Sequence, residues 1–130
     1  MRPLAEGSRQ RLEFTVDEDM LARFDGVLVH PVLSTWSLVH QLERAARRLL
    51  ESCLEAGELG AGCGVDVRHL APARLADRVQ VEVELLRQTP RSFVCRATAA
   101  AGGRRLAAGT VYQAVWPAEE MRERMAAPGT

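Results

Sequence analysis

One amphipathic helix is the feature that most constrains how this chain can fold. From Ser34 to about Ala56, apolar side chains recur at spacings of three and four residues, as in a helix with one buried face. The members of this stripe are Leu38, Leu42, Ala45, Ala46, Leu49, Leu50 and Cys53. Ser34 and Thr35 are both good helix caps, and the glycine-rich stretch "EAGELGAGCG" supplies stop signals. We therefore predict a helix that begins at Ser34 or Thr35 and ends at about Ala56.

Alternating segments before and after that helix predict an antiparallel sheet. Residues Arg9–Val16 alternate apolar and polar side chains and predict the first strand. Four further strands are predicted from the runs "CGVDVRHL", "DRVQVEVELLRQ", "SFVCRATAA" and "RRLAAGTVYQAVW", with Gly102 and Gly103 in the turn between the last two. One helix and about five antiparallel strands make an α+β domain in which the helix covers one face of the sheet.

The remaining segments carry weaker signals. The run "DEDMLARF" predicts a short helix capped by its first aspartate, whereas "DGVLVHP" predicts a loop or extended chain because a residue before proline avoids helix. Pro117 occupies a first helical position in "PAEEMRERMAAPGT". We detect no repeat and no linker, so we predict a single domain over residues 1–130, with 1–8 and 118–130 peripheral or mobile.

Composition and charge restrict the class of partner. The formal net charge of zero argues against nucleic acid and against anionic membranes, because binding to either favours a strong basic excess. The first ten residues lack the apolar core of a secretory signal, and no apolar run approaches the ~18 residues of a membrane-spanning helix. Three widely spaced cysteines, Cys53, Cys63 and Cys95, indicate reduced thiols. Together these features predict a soluble cytoplasmic protein.

Two residues of the predicted helix have side chains that packing alone does not require. Glu43 borders the apolar stripe, where a carboxylate is costly to bury unless it is paired. It either pairs with Arg47 four residues later or belongs to an active site. Thr35 either caps the helix or lies beside the free N–H groups of the first turn, which can hold an oxyanion during acyl transfer. A hydroxyl, a histidine and a carboxylate together would follow the logic of a catalytic triad.

Histidines and cysteines supply the other candidate groups. His69 ends a predicted strand beside the turn-like run "APARLADRV", from which it either reaches a cleft or plays a structural role. His30 is close to Thr35 in sequence and is a candidate for the same cleft, whereas His40 inside the helix is interpreted as exposed or packed. Cys63 in "AGCG" is a candidate reactive thiol. The histidines and cysteines lack the spacing of a metal site, so no metal is expected.

The combination of these motifs resembles the hotdog-fold thioesterases, most closely the fluoroacetyl-CoA thioesterase-like branch. The resemblance rests on Thr35 eight residues before Glu43, and on "GCGVDVRHLAPA", which places His69 34 residues after Thr35. It extends through "DRVQVEVELLR", the "GGRRLAAGT" hairpin and "GTVYQAVW", and covers Arg9 to Trp116. The resemblance implies a hotdog fold, in which a curved antiparallel sheet wraps a long central helix.

The resemblance also implies the site residues. In that branch a Thr–Glu–His set cleaves the acyl thioester, and the matching residues here are Thr35, Glu43 and His69. Gly62, seven residues before the histidine, matches a glycine that lines the site, and Ser34 and His30 complete the predicted substrate-binding set. The fluoroacetyl enzyme has phenylalanines in a lid just ahead of its threonine, whereas "DGVLVHPVL" has none. The sequence therefore suggests a different acyl group.

The implied function is a thioesterase that hydrolyses a short or medium acyl-CoA or acyl-carrier-protein thioester. No cofactor is expected, because a thioester is already activated for hydrolysis. A homodimer is expected because hotdog proteins usually form dimers with sites at the interface, and because eight helical residues separate Thr35 from Glu43 by ~12 Å. The alternatives are a hotdog dehydratase or hydratase, which also pairs a histidine with a carboxylate, and a non-catalytic protein that binds acyl thioesters.

Overall fold

A computed structural model describes residues 1–128 and contains a long helix packed on a five-stranded antiparallel sheet. The strands are β1 (Arg9–Thr15), β2 (Leu21–Phe24), β3 (Val27–Leu33), β4 (Glu58–His69), β5 (Arg78–Gln88), β6 (Ser92–Ala101) and β7 (Arg104–Pro117). The helices are α1 (Thr35–Glu51) and α2 (Ala118–Ala126). The large sheet has the order β1-β5-β6-β7-β4, and β2 and β3 form a separate pair. This architecture confirms the predicted α+β hotdog fold.

The apolar stripe of α1 forms the centre of the core. Every member of the predicted stripe is buried against the inner face of the sheet. The inward side chains of the strands alternate with polar ones, as the period of two requires; those of β5 include Val79, Val81 and Val83. The position of α1 over this face fixes which strand residues approach it.

The helix ends five residues earlier than predicted. It stops at Glu51, and the chain then turns at Gly57, whose φ of 82° favours glycine, before β4 begins at Glu58. The other three glycines of the predicted stop signal, Gly60, Gly62 and Gly64, lie inside β4 instead. Gly60 has no room for a side chain, because a Cβ there would overlap Cδ2 of Leu50. Several glycines in this stretch therefore permit close packing of helix and strand rather than a loop.

The segment before α1 also differs from its prediction. The predicted short helix is only a 3₁₀ turn at Glu18–Met20, capped by Asp17, whereas the segment predicted as loop or extended chain is extended, as strand β3. The strands β2 and β3 form a hairpin around Asp25 and Gly26, which have φ values of 52° and 78°. Two positive φ angles in a two-residue loop are typical of a tight hairpin turn, so the Asp-Gly pair was the missed signal.

The two ends of the described chain pack on the edges of the fold. Met1 and Leu4 contact the hydrophobic core, and the N–H of Arg2 donates to the carbonyl of Cys53. Pro117 precedes α2 as its cap residue and is not its first helical residue. Residues 129 and 130, part of the predicted mobile tail, lie outside the described residues. Within residues 1–128, neither helix combines the length and the apolar character needed to cross a membrane.

Candidate active site

Strand β4 presents both Gly62 and His69 to the helix, although seven residues separate them. An odd separation on a regular strand would place them on opposite faces. Gly62 lies opposite Gln113 and His69 lies opposite Ala107, and both of these β7 residues are buried on the helix side. The register shifts just after Gly62 and leaves Cys63 as an extra residue. This bulge restores the common face for glycine and histidine.

Thr35 and His69 are in direct contact. The Oγ1 atom of Thr35 lies 2.9 Å from Nδ1 of His69. Thr35 is the first residue of α1, and Ser34 is the cap, because its hydroxyl accepts a hydrogen bond from the N–H of Ser37. The Thr35 hydroxyl is therefore not occupied by capping. The buried Ser34 hydroxyl is engaged in that cap, at the base of the same helix end.

The other imidazole nitrogen of His69 has no partner within residues 1–128. Its Nε2 atom is buried and makes no hydrogen bond there. When Thr35 donates to Nδ1, the proton of the neutral ring is on Nε2 and needs an acceptor. A buried donor without an acceptor costs about 1–3 kcal/mol. A water molecule, a ligand or another chain must therefore accept the hydrogen bond from Nε2 of His69.

Glu43 lies against Gly62 at the other end of the site. A Cβ atom at Gly62 would be 3.0 Å from Oε2 of Glu43, so the glycine leaves room for the carboxylate. The alternative pair of Glu43 with Arg47 is not formed, because Arg47 donates to Glu51 at 2.7 Å and to the carbonyl of Gly60. Among the described residues, neither a hydrogen bond nor an ion pair engages the Glu43 carboxylate. It is an available base beside the edge strand.

A cavity of about 300 Å³ adjoins this carboxylate. Its lining residues are His40, Glu43, Arg44, Arg47, Gly62, Val111 and Gln113. Gln113 is a polar residue that the sequence reasoning missed. The signal was its place between the inward residues Val111 and Val115, where strand alternation predicts an apolar side chain.

The two halves of the site remain apart within one chain. Thr35 and Glu43 are separated by eight residues of α1, which corresponds to ~12 Å along the axis. Between them lies Val65 of β4, which faces inward opposite Val111 but is 40% exposed. Strand β4 is also the open edge of the sheet. One chain thus contains two half-sites beside an uncovered strip of its inner sheet face.

The segment ahead of Thr35 carries exposed apolar side chains. Phe24 and Trp36 pack edge to face with ring centroids 5.2 Å apart, and their exposed fractions are 56% and 47%. His30 is exposed on β3 and pairs through its backbone with Ala22. Within the described part of the chain, the His30 side chain has no hydrogen bond to the Thr35–His69 pair. Trp36 follows the threonine directly and is a further apolar residue beside it.

Comparisons with known proteins identify the family to which this chain is similar. The family model for the fluoroacetyl-CoA-specific thioesterase FlK matches residues 16–119, which include both half-sites. A Thermus thermophilus hypothetical protein, a thioesterase superfamily member, has a crystal structure that matches with a TM-score of 0.92 and 31% identity. The match covers 96% of this chain and 93% of that one.

Structures of FlK itself are also similar. One matches with a TM-score of 0.86 and 26% identity, covering 97% of this chain and 99% of FlK. A point mutant of FlK in complex with fluoroacetate and CoA matches with a TM-score of 0.83 and 27% identity, covering 91% and 99% of the two chains. No curated protein sequence gives a significant match. The match of the family model over most of the sequence nevertheless establishes that this chain belongs to the FlK family of hotdog-fold thioesterases.

Proposed function

We propose that this chain hydrolyses a short or medium acyl-CoA thioester, with Thr35, Glu43 and His69 as its catalytic groups. The observation that carries the proposal is the 2.9 Å contact between Oγ1 of Thr35 and Nδ1 of His69. A hydroxyl within hydrogen-bond reach of a histidine is the arrangement of an activated nucleophile. CoA is favoured over a carrier protein as the acyl carrier because the related FlK mutant was crystallised with CoA and fluoroacetate.

In this mechanism His69 acts first as a general base. It takes the Thr35 proton as the hydroxyl oxygen bonds to the thioester carbon, and it returns that proton to the sulfur as the carbon–sulfur bond breaks. The result is free thiol and an acyl ester on Thr35. Water then hydrolyses that ester with a carboxylate as base, which regenerates the threonine and releases the carboxylic acid.

The first turn of α1 provides the oxyanion donors. The N–H groups of Thr35 and Trp36 lie at helix positions that have no intrahelical acceptor, and no other hydrogen bond engages them within residues 1–128. They lie at the positive end of the helix dipole, beside the attacking hydroxyl. Two such donors stabilise the negative charge that develops on the carbonyl oxygen. The Gly62 backbone is the alternative source of these donors.

A homodimer joins the two half-sites in this proposal. A second copy added to the open edge strand β4 would cover inward-facing Val65 and bring the partner subunit's Glu43 toward His69. The carboxylate would accept from the buried Nε2–H, which has no acceptor in residues 1–128. This arrangement also explains how two residues ~12 Å apart on one helix serve the same reaction.

The acyl group is proposed to be short or medium rather than fluoroacetyl. Strand β3 begins with Val27, Leu28 and Val29, so it lacks the lid phenylalanines of the fluoroacetyl enzyme. These valines and leucine are exposed, and so is Trp36 next to the nucleophile. Aliphatic side chains with one broad aromatic surface favour an apolar acyl chain over a small polar one. Ser34 and His30 remain proposed contacts at this end of the site.

A panel of acyl-CoA substrates tests the proposed function. The purified protein is incubated with acyl chains of increasing length, and free CoA is followed with a thiol reagent. We expect CoA release, with kcat/KM highest for a short or medium apolar chain. A change in enoyl absorbance without CoA release would support a dehydratase or hydratase instead. Binding without turnover of any substrate would support a non-catalytic acyl-thioester protein.

Replacing Gly62 with alanine is expected to lower kcat by about 10- to 100-fold, because a misplacement of ~1 Å at a reacting group has effects of that size. The new methyl group would lie 3.0 Å from Oε2 of Glu43 and displace the carboxylate. Gly64→Ala is the matched control: its methyl group would meet only the Tyr112 ring, at an ordinary 3.4 Å. Steady-state CoA release measures both. Equal activity of the two variants would remove Glu43 from its proposed position.

A further inference from the structure

Gln113 is a buried amide on an otherwise apolar strand face. Its side chain is only 3% exposed, and its inward neighbours on β7 are Val111 and Val115. Burying an amide without full hydrogen bonding costs free energy that a valine or leucine at this position would avoid. The amide therefore needs an explanation beyond packing.

The orientation of this amide is fixed by one hydrogen bond. The Nε2 atom of Gln113 donates to the carbonyl of Ala46 at 3.0 Å. A carbonyl oxygen only accepts, so the amide nitrogen faces Ala46 and the amide oxygen points the other way. Among the described residues, Oε1 of Gln113 has no hydrogen-bond partner. Unlike Nε2 of His69, this oxygen is not fully buried. It opens to the 300 Å³ cavity beside Glu43.

The Gln113 amide oxygen and the Glu43 carboxylate share that cavity. Gln113 lies directly opposite Gly62 in the β4–β7 ladder, where facing Cβ positions are ~4.5–5.5 Å apart. The Cβ position at Gly62 is in turn 3.0 Å from Oε2 of Glu43. Both oxygens are acceptors, so they do not bond to each other. A small molecule that donates two hydrogen bonds can bind to both oxygens at once.

We propose that Glu43 and Gln113 of one chain together hold the water that hydrolyses the acyl ester on Thr35 of the partner subunit. This inference rests on the proposed function. One proton of the water is donated to Glu43 and the other to Oε1 of Gln113, which leaves an oxygen lone pair free to attack. As the water oxygen bonds to the acyl carbon, Glu43 takes its proton. The bond from the acyl carbon to Thr35 then breaks, and the proton held by Glu43 is returned to the threonine oxygen.

The test replaces the amide by a side chain of similar length without an acceptor. Gln113→Met is expected to lower kcat by about 10- to 100-fold and to lower KM with it, so that kcat/KM stays nearly unchanged, because a mispositioned water slows hydrolysis of the acyl-enzyme whereas kcat/KM reports the earlier acylation step. Release of acid becomes the slow step, so a burst of CoA should precede the slow turnover. Hydroxylamine brings its own nucleophilic nitrogen, so it should restore CoA release in this variant.

Gln41→Met is the matched control. Gln41 is the other buried glutamine; its amide oxygen already accepts from Arg44, and Gln41 does not line the cavity. This variant should retain kcat, show no new burst and gain nothing from hydroxylamine. If Gln113→Met is poorly folded by thermal denaturation, Gln113→Glu keeps an acceptor oxygen and should retain more kcat than Gln113→Met. If Gln113 acted only through its hydrogen bond to Ala46, kcat would fall equally in Gln113→Met and Gln113→Glu.

The outcomes separate this inference from the proposed function. A well-folded Gln113→Met protein with wild-type kcat and no burst overturns the role of Gln113. If Glu43→Gln is inactive in the same assay, the proposed carboxylate role survives that result. If Glu43→Gln also keeps full activity, the proposed site itself is wrong and the inference falls with it.

Discussion

Replacing His69 with alanine is expected to lower kcat by about 10⁴-fold, since losses of triad members in other enzymes reach roughly 10⁴ to 10⁶. The imidazole is the only group within residues 1–128 that is hydrogen-bonded to the Thr35 hydroxyl, at 2.9 Å, and without it the hydroxyl has no base. Thr35→Ala should give a loss of similar size. The double variant should be no worse than either single one, because residues that act as a unit share one transition state.

Thr35→Ser tests whether the hydroxyl attacks. Serine keeps an oxygen beside Nδ1 of His69, so it should keep much of the wild-type kcat and allow an acyl-enzyme to be trapped. Ser37→Ala is the matched control, because it removes a hydroxyl from the same first turn without touching His69. Steady-state CoA release and mass spectrometry of quenched reactions provide the measurements.

A smaller loss of kcat in Thr35→Ala would assign Thr35 a different role. A fall of ~10² to 10³ in Thr35→Ala would fit a threonine that only helps to hold the oxyanion. Near-normal kcat in both Thr35→Ala and Thr35→Ser would remove Thr35 from the site. Glu43 and His69 would then have to activate water without it.

The overall fold is accessible from sequence because it follows from local periodicity. The stripe of α1 repeats at three and four residues, and the inward side chains of β5 repeat at two, so each pattern indicates its own element. With one amphipathic helix and one antiparallel sheet, the apolar faces are buried when the helix packs on one face of the sheet. Nothing about this step requires knowledge of contacts between distant residues.

The glycines after α1 are the residues for which the local sequence pattern gives a wrong prediction. The stretch "EAGELGAGCG" predicts a helix stop, with the next strand predicted only from Cys63, whereas Glu58–His69 is one strand. Glycine signals a turn when its φ is positive, as at Gly57, but it also signals close packing when another element occupies the side-chain space, as at Gly60. The two cases look alike in sequence, and only the tertiary position of α1 separates them.

The site is predictable in part. The spacing of Thr35, Glu43 and His69 points to a known family, but the common face of Gly62 and His69 depends on a bulge at Cys63 that alternation cannot reveal. Gln113 was missed because one polar residue in an apolar strand has no evident meaning until its partner across the ladder is known.

An equal mixture of Thr35→Ala and Glu43→Gln chains is expected to regain about a quarter of wild-type activity, since half of randomly paired dimers are mixed and one of their two equivalent sites is intact. The reason is the separation of ~12 Å between Thr35 and Glu43 on α1, because of which each carboxylate serves the other subunit in the proposed dimer. In a mixed dimer, one site then carries both substitutions and the other carries none. Each variant alone should stay nearly inactive. Co-expression and an assay of the unfractionated mixture measure this recovery, and the mixed dimers isolated through two affinity tags should show about half of wild-type activity, because one of their two sites is intact.

The matched control for that recovery is a mixture of Thr35→Ala and His69→Ala chains. Thr35 and His69 touch within one chain, so in a mixed dimer each site still carries one substitution. This mixture should remain inactive at every ratio. If activity recovered in this control as well, the recovery would not be evidence for a site shared between two subunits. No recovery with Glu43→Gln, or a monomer by light scattering in a preparation that still turns over, would place all three groups in a single chain and require α1 to bend or the substrate to span its first two turns.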